Sequence, residues 1–117
     1  MKLNDLPFIM IRALLVTIFV ELIVSLIIGI RNKKDLINIV LVNIMTNPLV
    51  VSIPVYFNIK YGLIYRHVVL FILEILAVLS EGYIYSKYLN FKKINPYILS
   101  LILNISSYLI GCIINYL

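Results

Sequence analysis

Residues 36–57 read LINIVLVNIMTNPLVVSIPVYF. The stretch carries no charged side chain and matches the ~20 residues a helix needs to cross the hydrocarbon core of a bilayer. Asn43, Thr46 and Asn47 fall at i, i+3 and i+4, the spacing that aligns side chains on one face of a helix. The period-two alternation of a half-buried strand is absent. The segment therefore reads as a membrane-spanning helix with one polar face.

Three further runs have the same character. They cover about residues 6–30, 67–88 and 97–117, separated by Arg31-Asn32-Lys33-Lys34-Asp35, by the polar connection 58–66 and by residues 90–96. The first run is too long for a signal peptide, contains Arg12 and Glu21, and is followed by no small-residue cleavage site. Four apolar strands could not close a barrel, so helices are the only spanning choice. The expectation is an all-α polytopic membrane protein, residues 1–117 forming one transmembrane domain of four helices. Composition agrees. The chain is 63% hydrophobic with a mean hydropathy of +1.10, and 13% of its residues are charged, against about a quarter in soluble domains.

The two halves resemble each other. Glu21 precedes Asn43 by 22 residues and Glu81 precedes Asn104 by 23, each pair spanning a short basic loop. Asn43-Ile44-Met45-Thr46 parallels Asn104-Ile105-Ser106-Ser107. This predicts two similar helical hairpins related by an axis along the membrane normal.

Basic residues set the expected orientation. Arg31, Lys33 and Lys34 lie in the first loop and Lys87, Lys92 and Lys93 in or beside the third. Lys2, Arg12, Lys60 and Arg66 lie on the other side. The excess places loops one and three in the cytoplasm and both termini outside. The net charge of +5 fits anionic headgroups better than nucleic acid, for which no long basic and aromatic stripe exists.

Polar residues form one stripe per helix: Thr17, Glu21 and Ser25; Asn43, Thr46 and Asn47; His67, Glu74 and Glu81; Ser100, Asn104, Ser107, Gly111 and Asn115. Packing should turn all four inward. The span centres lie near residues 19, 47, 77 and 107, so Glu21, Asn43, Asn47, Glu74, Asn104 and Ser107 sit close to the midplane. A charged carboxylate there costs roughly 2.5–3.5 kcal/mol on insertion scales. Asn, Ser and Thr serve commonly as interhelical glue, but Gln or Ser would do so at lower cost than Glu. The carboxyls are then protonated, neutralised by a cation or substrate, or reached by water. The candidate substrate- or ion-binding residues are Glu21, Asn43, Thr46, Asn47, Glu74, Glu81, Asn104 and Ser107. Pro48 and Pro54 each remove an intrahelical donor, which predicts a kink or break in the second helix near the midplane.

Several classes are excluded or disfavoured. Cys112 is the sole cysteine, so an intrachain disulfide is impossible and a packing role is expected. No His, Cys or Glu set has metal-ligand spacing, and no cofactor is expected. No nucleophile–base pair or phosphate-binding glycine loop is present, which leaves an enzyme only Glu and Asn to work with inside the bilayer.

The pattern Glu21, Asn43-Ile44-Met45-Thr46-Asn47-Pro48, Glu74, Glu81 and Asn104 resembles short bacterial four-span integral membrane proteins carrying an N-x-x-T-N-P motif. The resemblance covers most of the chain and implies a multi-pass protein of the bacterial cytoplasmic membrane, without an activity. The function expected is a small transporter or channel component with a midplane Glu and Asn site, coupled to a cation or proton. Four short helices barely enclose a pathway, so a homodimer or a larger membrane complex is expected. The alternatives are a non-catalytic membrane subunit or scaffold, and an intramembrane enzyme acting on a lipid.

The orientation is directly testable in a variant lacking Cys112. Cysteines introduced at Asn32 and Asn90 should resist impermeant thiol reagents in intact cells, and one beside Gly62 should react. The reverse pattern would invert the topology, and reaction of both sets would indicate dual insertion.

Overall fold

In a computed structural model, which describes residues 5–116 and side chains as far as Ile114, the chain forms four α-helices. Lys2 and the Asn115 side chain lie outside the described residues. The helices are α1 (Leu6–Ile28), α2 (Lys33–Tyr61), α3 (Leu63–Tyr88) and α4 (Pro96–Tyr116). All four are long and apolar enough to cross a membrane, and the molecule measures 42 × 25 × 20 Å. Each helix packs on its neighbours in sequence, and α1 closes the ring against α4. The pairs α1/α3 and α2/α4 face each other across the bundle.

Local chemistry sets the helix ends. Gly29 takes a left-handed conformation (φ 119°), and its N–H returns to the Ser25 carbonyl at 3.1 Å, closing α1 as glycine commonly does. The Asn32 side chain accepts from the Lys34 N–H at 2.9 Å and starts α2. The Asn95 side chain does the same for Tyr97, with Pro96 in the first helical position, where its missing N–H costs nothing.

Two expectations need correction. The second connection is not a nine-residue polar loop, because α2 runs to Tyr61 and α3 starts at Leu63, leaving Gly62 alone between them. Gly62 has φ 115°, a conformation open to glycine. Beyond the hydrocarbon the helices continue, covered by Tyr56, Phe57, Tyr61 and Tyr65, whose rings pack in series at 5.5–5.7 Å. The Lys60 ammonium lies 5.4 Å from the Tyr61 ring centre and 5.7 Å from that of Tyr56.

Of the expected kink or break at Pro48 and Pro54 the break is absent, since α2 is helical through both. Each proline removes one donor, yet breaking the helix would orphan many more backbone groups where water cannot reach them. The continuous helix with two weakened turns is the less costly solution.

The core is lopsided. Ile30, Ile39, Val42, Tyr85, Leu89, Leu99 and Leu103 form one buried cluster, all toward the end that carries loops one and three. Asp35 fastens that end. Its carboxylate is 1% exposed and accepts from the backbone N–H groups of Asn90 and Phe91, each at 2.9 Å. Hydrogen bonds to a charged group contribute about 1.5–3 kcal/mol, so this residue ties the start of α2 to the loop after α3. The outer surface is apolar: Ile27 is 78% exposed and Phe71 68%, which only lipid or a partner helix can cover.

Gly82 permits the close approach of α3 to α4. A Cβ built there would lie 3.0 Å from the Tyr97 Cα, a backbone atom that cannot swing aside. Gly82→Val should therefore force the helices apart and destabilise the protein by about 1–3 kcal/mol, read as a lower thermal unfolding temperature in detergent. Unchanged stability would show that the contact is looser than described.

Candidate functional site

The buried polar residues form two matching units. In the first hairpin the Asn43 amide donates to Glu21 Oε1 at 3.2 Å and to the Ile39 carbonyl at 2.9 Å. In the second, the Asn104 amide donates to Glu81 Oε2 and to the Ser100 carbonyl, the latter at 2.8 Å. Each asparagine thus grips the carbonyl four residues back and reaches across its hairpin to a glutamate. The hydroxyls cross over. Thr46 of the first hairpin lies 3.0 Å from Glu81 Oε1, and Ser107 of the second lies beside the Glu21 carboxylate. In its Glu–Asn pairs the sequence repeat is therefore also a repeat of hydrogen bonding.

Burial explains why these bonds recur. Glu21 and Glu81 are 0% exposed, and a polar group in an apolar medium costs several kcal/mol without a partner. Glu81 has both oxygens engaged, by Thr46 and Asn104. Glu21 has only Oε1 engaged, and its Oε2 is buried without a partner. Ser25 Oγ and Tyr85 OH are likewise buried and unpartnered. Ser25 and Tyr85 each stand four residues beyond the glutamate of their own helix, so both orphaned hydroxyls continue the glutamate faces toward the apolar cluster.

Above the glutamates the bundle opens. A cavity of about 370 Å³ is lined by Thr17, Asn43, Thr46, Asn47, Glu74, Asn104 and Ser107, with Pro54, Arg66, His67 and Cys112 higher on its walls. Asn47 donates to Thr17 Oγ1 at 3.2 Å, and its Oδ1 is buried and unsatisfied. A vestibule of about 300 Å³ shares Thr17, Arg66 and Ser107 with the cavity and adds Arg12. Neither arginine has an ion-pair partner among the described residues. The cavity is thus open toward the termini and the α2–α3 turn, and stopped at the other end by the apolar cluster.

All eight residues singled out in the sequence face this interior. Asn43, Thr46, Asn47, Glu74, Asn104 and Ser107 line the cavity, and Glu21 and Glu81 lie at its closed end, bonded to residues that line it. Pro54 contributes to the wall, whereas Pro48 does not. Thr17, Arg66 and His67 also line the cavity, and Tyr85 stands beneath Glu81 in the cluster that closes it; none is among the eight. Thr17 and His67 were visible as stripe members. Tyr85 was discoverable from its position one turn past Glu81. Arg66 carried no such signal, because it was read as an interfacial charge. Among the described residues no group of His, Cys, Asp or Glu could cage a metal ion.

Comparison with family models, with curated proteins and with solved structures finds no match. The site's chemistry has to be read from its own geometry.

Cys112 offers a test of the cavity's opening without an engineered probe. It is a half-buried free thiol on the cavity wall. A small impermeant methanethiosulfonate should modify it in sealed vesicles only from the side facing the α2–α3 turn, and Cys112→Ser should remove the signal. Reaction from the opposite side would contradict the closed end described above.

Proposed function

We propose that this protein is a small transporter or channel component of the bacterial cytoplasmic membrane, with both termini outside and a midplane site coupled to protons or small cations. The observation that carries the reading is a polar cavity, open at one end and closed at the other, with two fully buried glutamates behind the residues that line it. A scaffold that docked partner helices through hydrogen bonds would carry its polar residues on its outer faces. Here the outward surface is apolar and the acidic and amide side chains turn inward.

Proton bookkeeping supports coupling at Glu81. The Thr46 hydroxyl lies 3.0 Å from both Glu81 Oε1 and the Val42 carbonyl, and it has one hydrogen to donate. A proton held on Glu81 satisfies every atom, since Glu81 then donates to Thr46 and Thr46 to Val42. Loss of that proton leaves two acceptors competing for one donor. Glu21 has an equivalent vacancy at Oε2, which suits a proton or a cation ligand.

The hairpin repeat supplies a division for alternating access. Glu21–Asn43 and Asn47–Thr17 bind α1 to α2, and Glu81–Asn104 and Ser100–Val78 bind α3 to α4. Between hairpins run Thr46–Glu81 and the two bonds that the Asp35 carboxylate accepts from Asn90 and Phe91. Rocking of one hairpin on the other would break few polar contacts while keeping each glutamate with its asparagine. Four helices give a narrow path, and a homodimer would widen it.

The test is charge displacement on a solid-supported membrane after jumps in pH, Na⁺ or K⁺. Wild type should give a transient current for at least one ion. Glu81→Gln, which keeps shape and loses the titrating proton, should reduce it at least tenfold while thermal stability stays close to wild type. Absence of current for all three ions in folded protein would overturn the reading.

A further inference from the structure

Glu74 breaks the internal symmetry. It lies seven residues before Glu81, and the matching position in α1, seven before Glu21, is Leu14. It is only half-buried, and no hydrogen-bond donor reaches it among the described residues. Besides lining the polar cavity it lines a second space, a groove of about 630 Å³ on the lipid-facing side of α3 and α4. The groove's other walls are apolar, from residues such as Phe71, Leu79, Leu101 and Ile105, with His67 at one end and Tyr108 on the α4 side. Asn104 and Tyr108, like Glu74, line both spaces. Glu74 thus stands in the wall between the groove and the cavity.

We propose that this groove admits an amphiphilic organic cation from the bilayer, its apolar body against α3 and α4 and its positive centre at Glu74. The inference rests on the central polar site proposed above and names the class of substrate it takes. Two observations select a cation, and a third fits its size. Among the described residues Glu74 is the groove's only acidic side chain and no Lys or Arg lines it, so a bound positive centre would pair with its carboxylate without a competing Lys or Arg. Phe71 and Tyr108 border the same space, and aromatic faces attract cations by about 0.5–2 kcal/mol. The volume falls in the ~300–1,000 Å³ range of sites that enclose drug-sized molecules. A groove of about 890 Å³ between α1 and α4 has no ionisable residue among the described residues that line it. It is large enough for the same molecule without the charge, and so serves as an internal control.

The experiment uses two ions of nearly the same shape and opposite charge, tetraphenylphosphonium and tetraphenylborate, with the full chain in zwitterionic nanodiscs and empty nanodiscs subtracted. Saturable binding of the phosphonium at least tenfold tighter than of the borate is expected. Glu74→Gln should abolish that preference. Ile105→Trp, at a lipid-exposed position inside the groove, should weaken phosphonium binding at least tenfold, and Leu109→Trp in the α1–α4 groove should not. Equal binding of both ions would make the groove a seat for lipid chains and overturn the proposal. So would phosphonium binding that survives Glu74→Gln, ignores Ile105→Trp or fails to saturate. The ion-jump currents measured on the same preparation separate the two readings. Currents that persist without phosphonium binding sink this inference alone, and absence of both removes the central site with it.

Discussion

A glutamate inside a bilayer has few places to put its oxygens, and the fold is organised around that difficulty. Glu21 and Glu81 are each held by an asparagine on the next helix of the same hairpin, and each asparagine is anchored to the carbonyl one turn earlier. Apolar burial cannot drive helices together in lipid as it does in water, because hydrocarbon surrounds the helices whether or not they pack. Close packing and interhelical hydrogen bonds remain, the latter at about 0.6–2 kcal/mol each. Two such units therefore define the hairpins, and Thr46, crossing to Glu81, aligns one hairpin with the other.

The asymmetry along the membrane normal follows from what surrounds these units. On the side of loops one and three, large aliphatic residues and Tyr85 fill the space between helices, and Asp35 fastens α2 to the loop after α3. On the other side the inward residues are smaller or polar: Ala13, Thr17, Asn47, Ser107 and Gly111. They cannot fill the same cross-section, and the bundle opens. The distribution of side-chain volume along four inward faces creates both the plug and the cavity, without a loop or lid to contribute.

The sequence disclosed the spans and the inward faces because lipid enforces a simple code: about twenty apolar residues per crossing, with polar residues at helical spacing turned away from hydrocarbon. It disclosed the repeat because Glu21–Asn43 and Glu81–Asn104 keep nearly the same separation. Three features were not legible. The shortness of the α2–α3 turn depends on aromatic residues sheltering helix beyond the membrane, and Asn58 and Arg66 read equally well as loop. The unbroken course of α2 depends on the cost of exposing many carbonyls against the loss of one donor at Pro48, a comparison that residue preferences alone do not make. Asp35 looked like one more charge in a basic loop, since its partners are backbone groups 55 and 56 residues away.

The departures from symmetry carry more functional information than the symmetry does. Where both hairpins agree, each asparagine joins the glutamate of its hairpin and holds the two helices together. Where they differ, satisfaction fails or the wall opens. Glu21 keeps a free oxygen while Glu81 has none. Asn47 leaves its carbonyl unpaired at the position that Tyr108 occupies in the second copy. Glu74 has only Leu14 as its counterpart and stands between cavity and bilayer. A protein whose polar residues served only to dock helices would gain nothing from these mismatches, since each leaves a costly group unsatisfied where its twin shows that a satisfied arrangement fits the same backbone. Asn47 and Glu74 line the cavity and Glu21 adjoins it, whereas the orphaned hydroxyls of Ser25 and Tyr85 continue toward the apolar cluster.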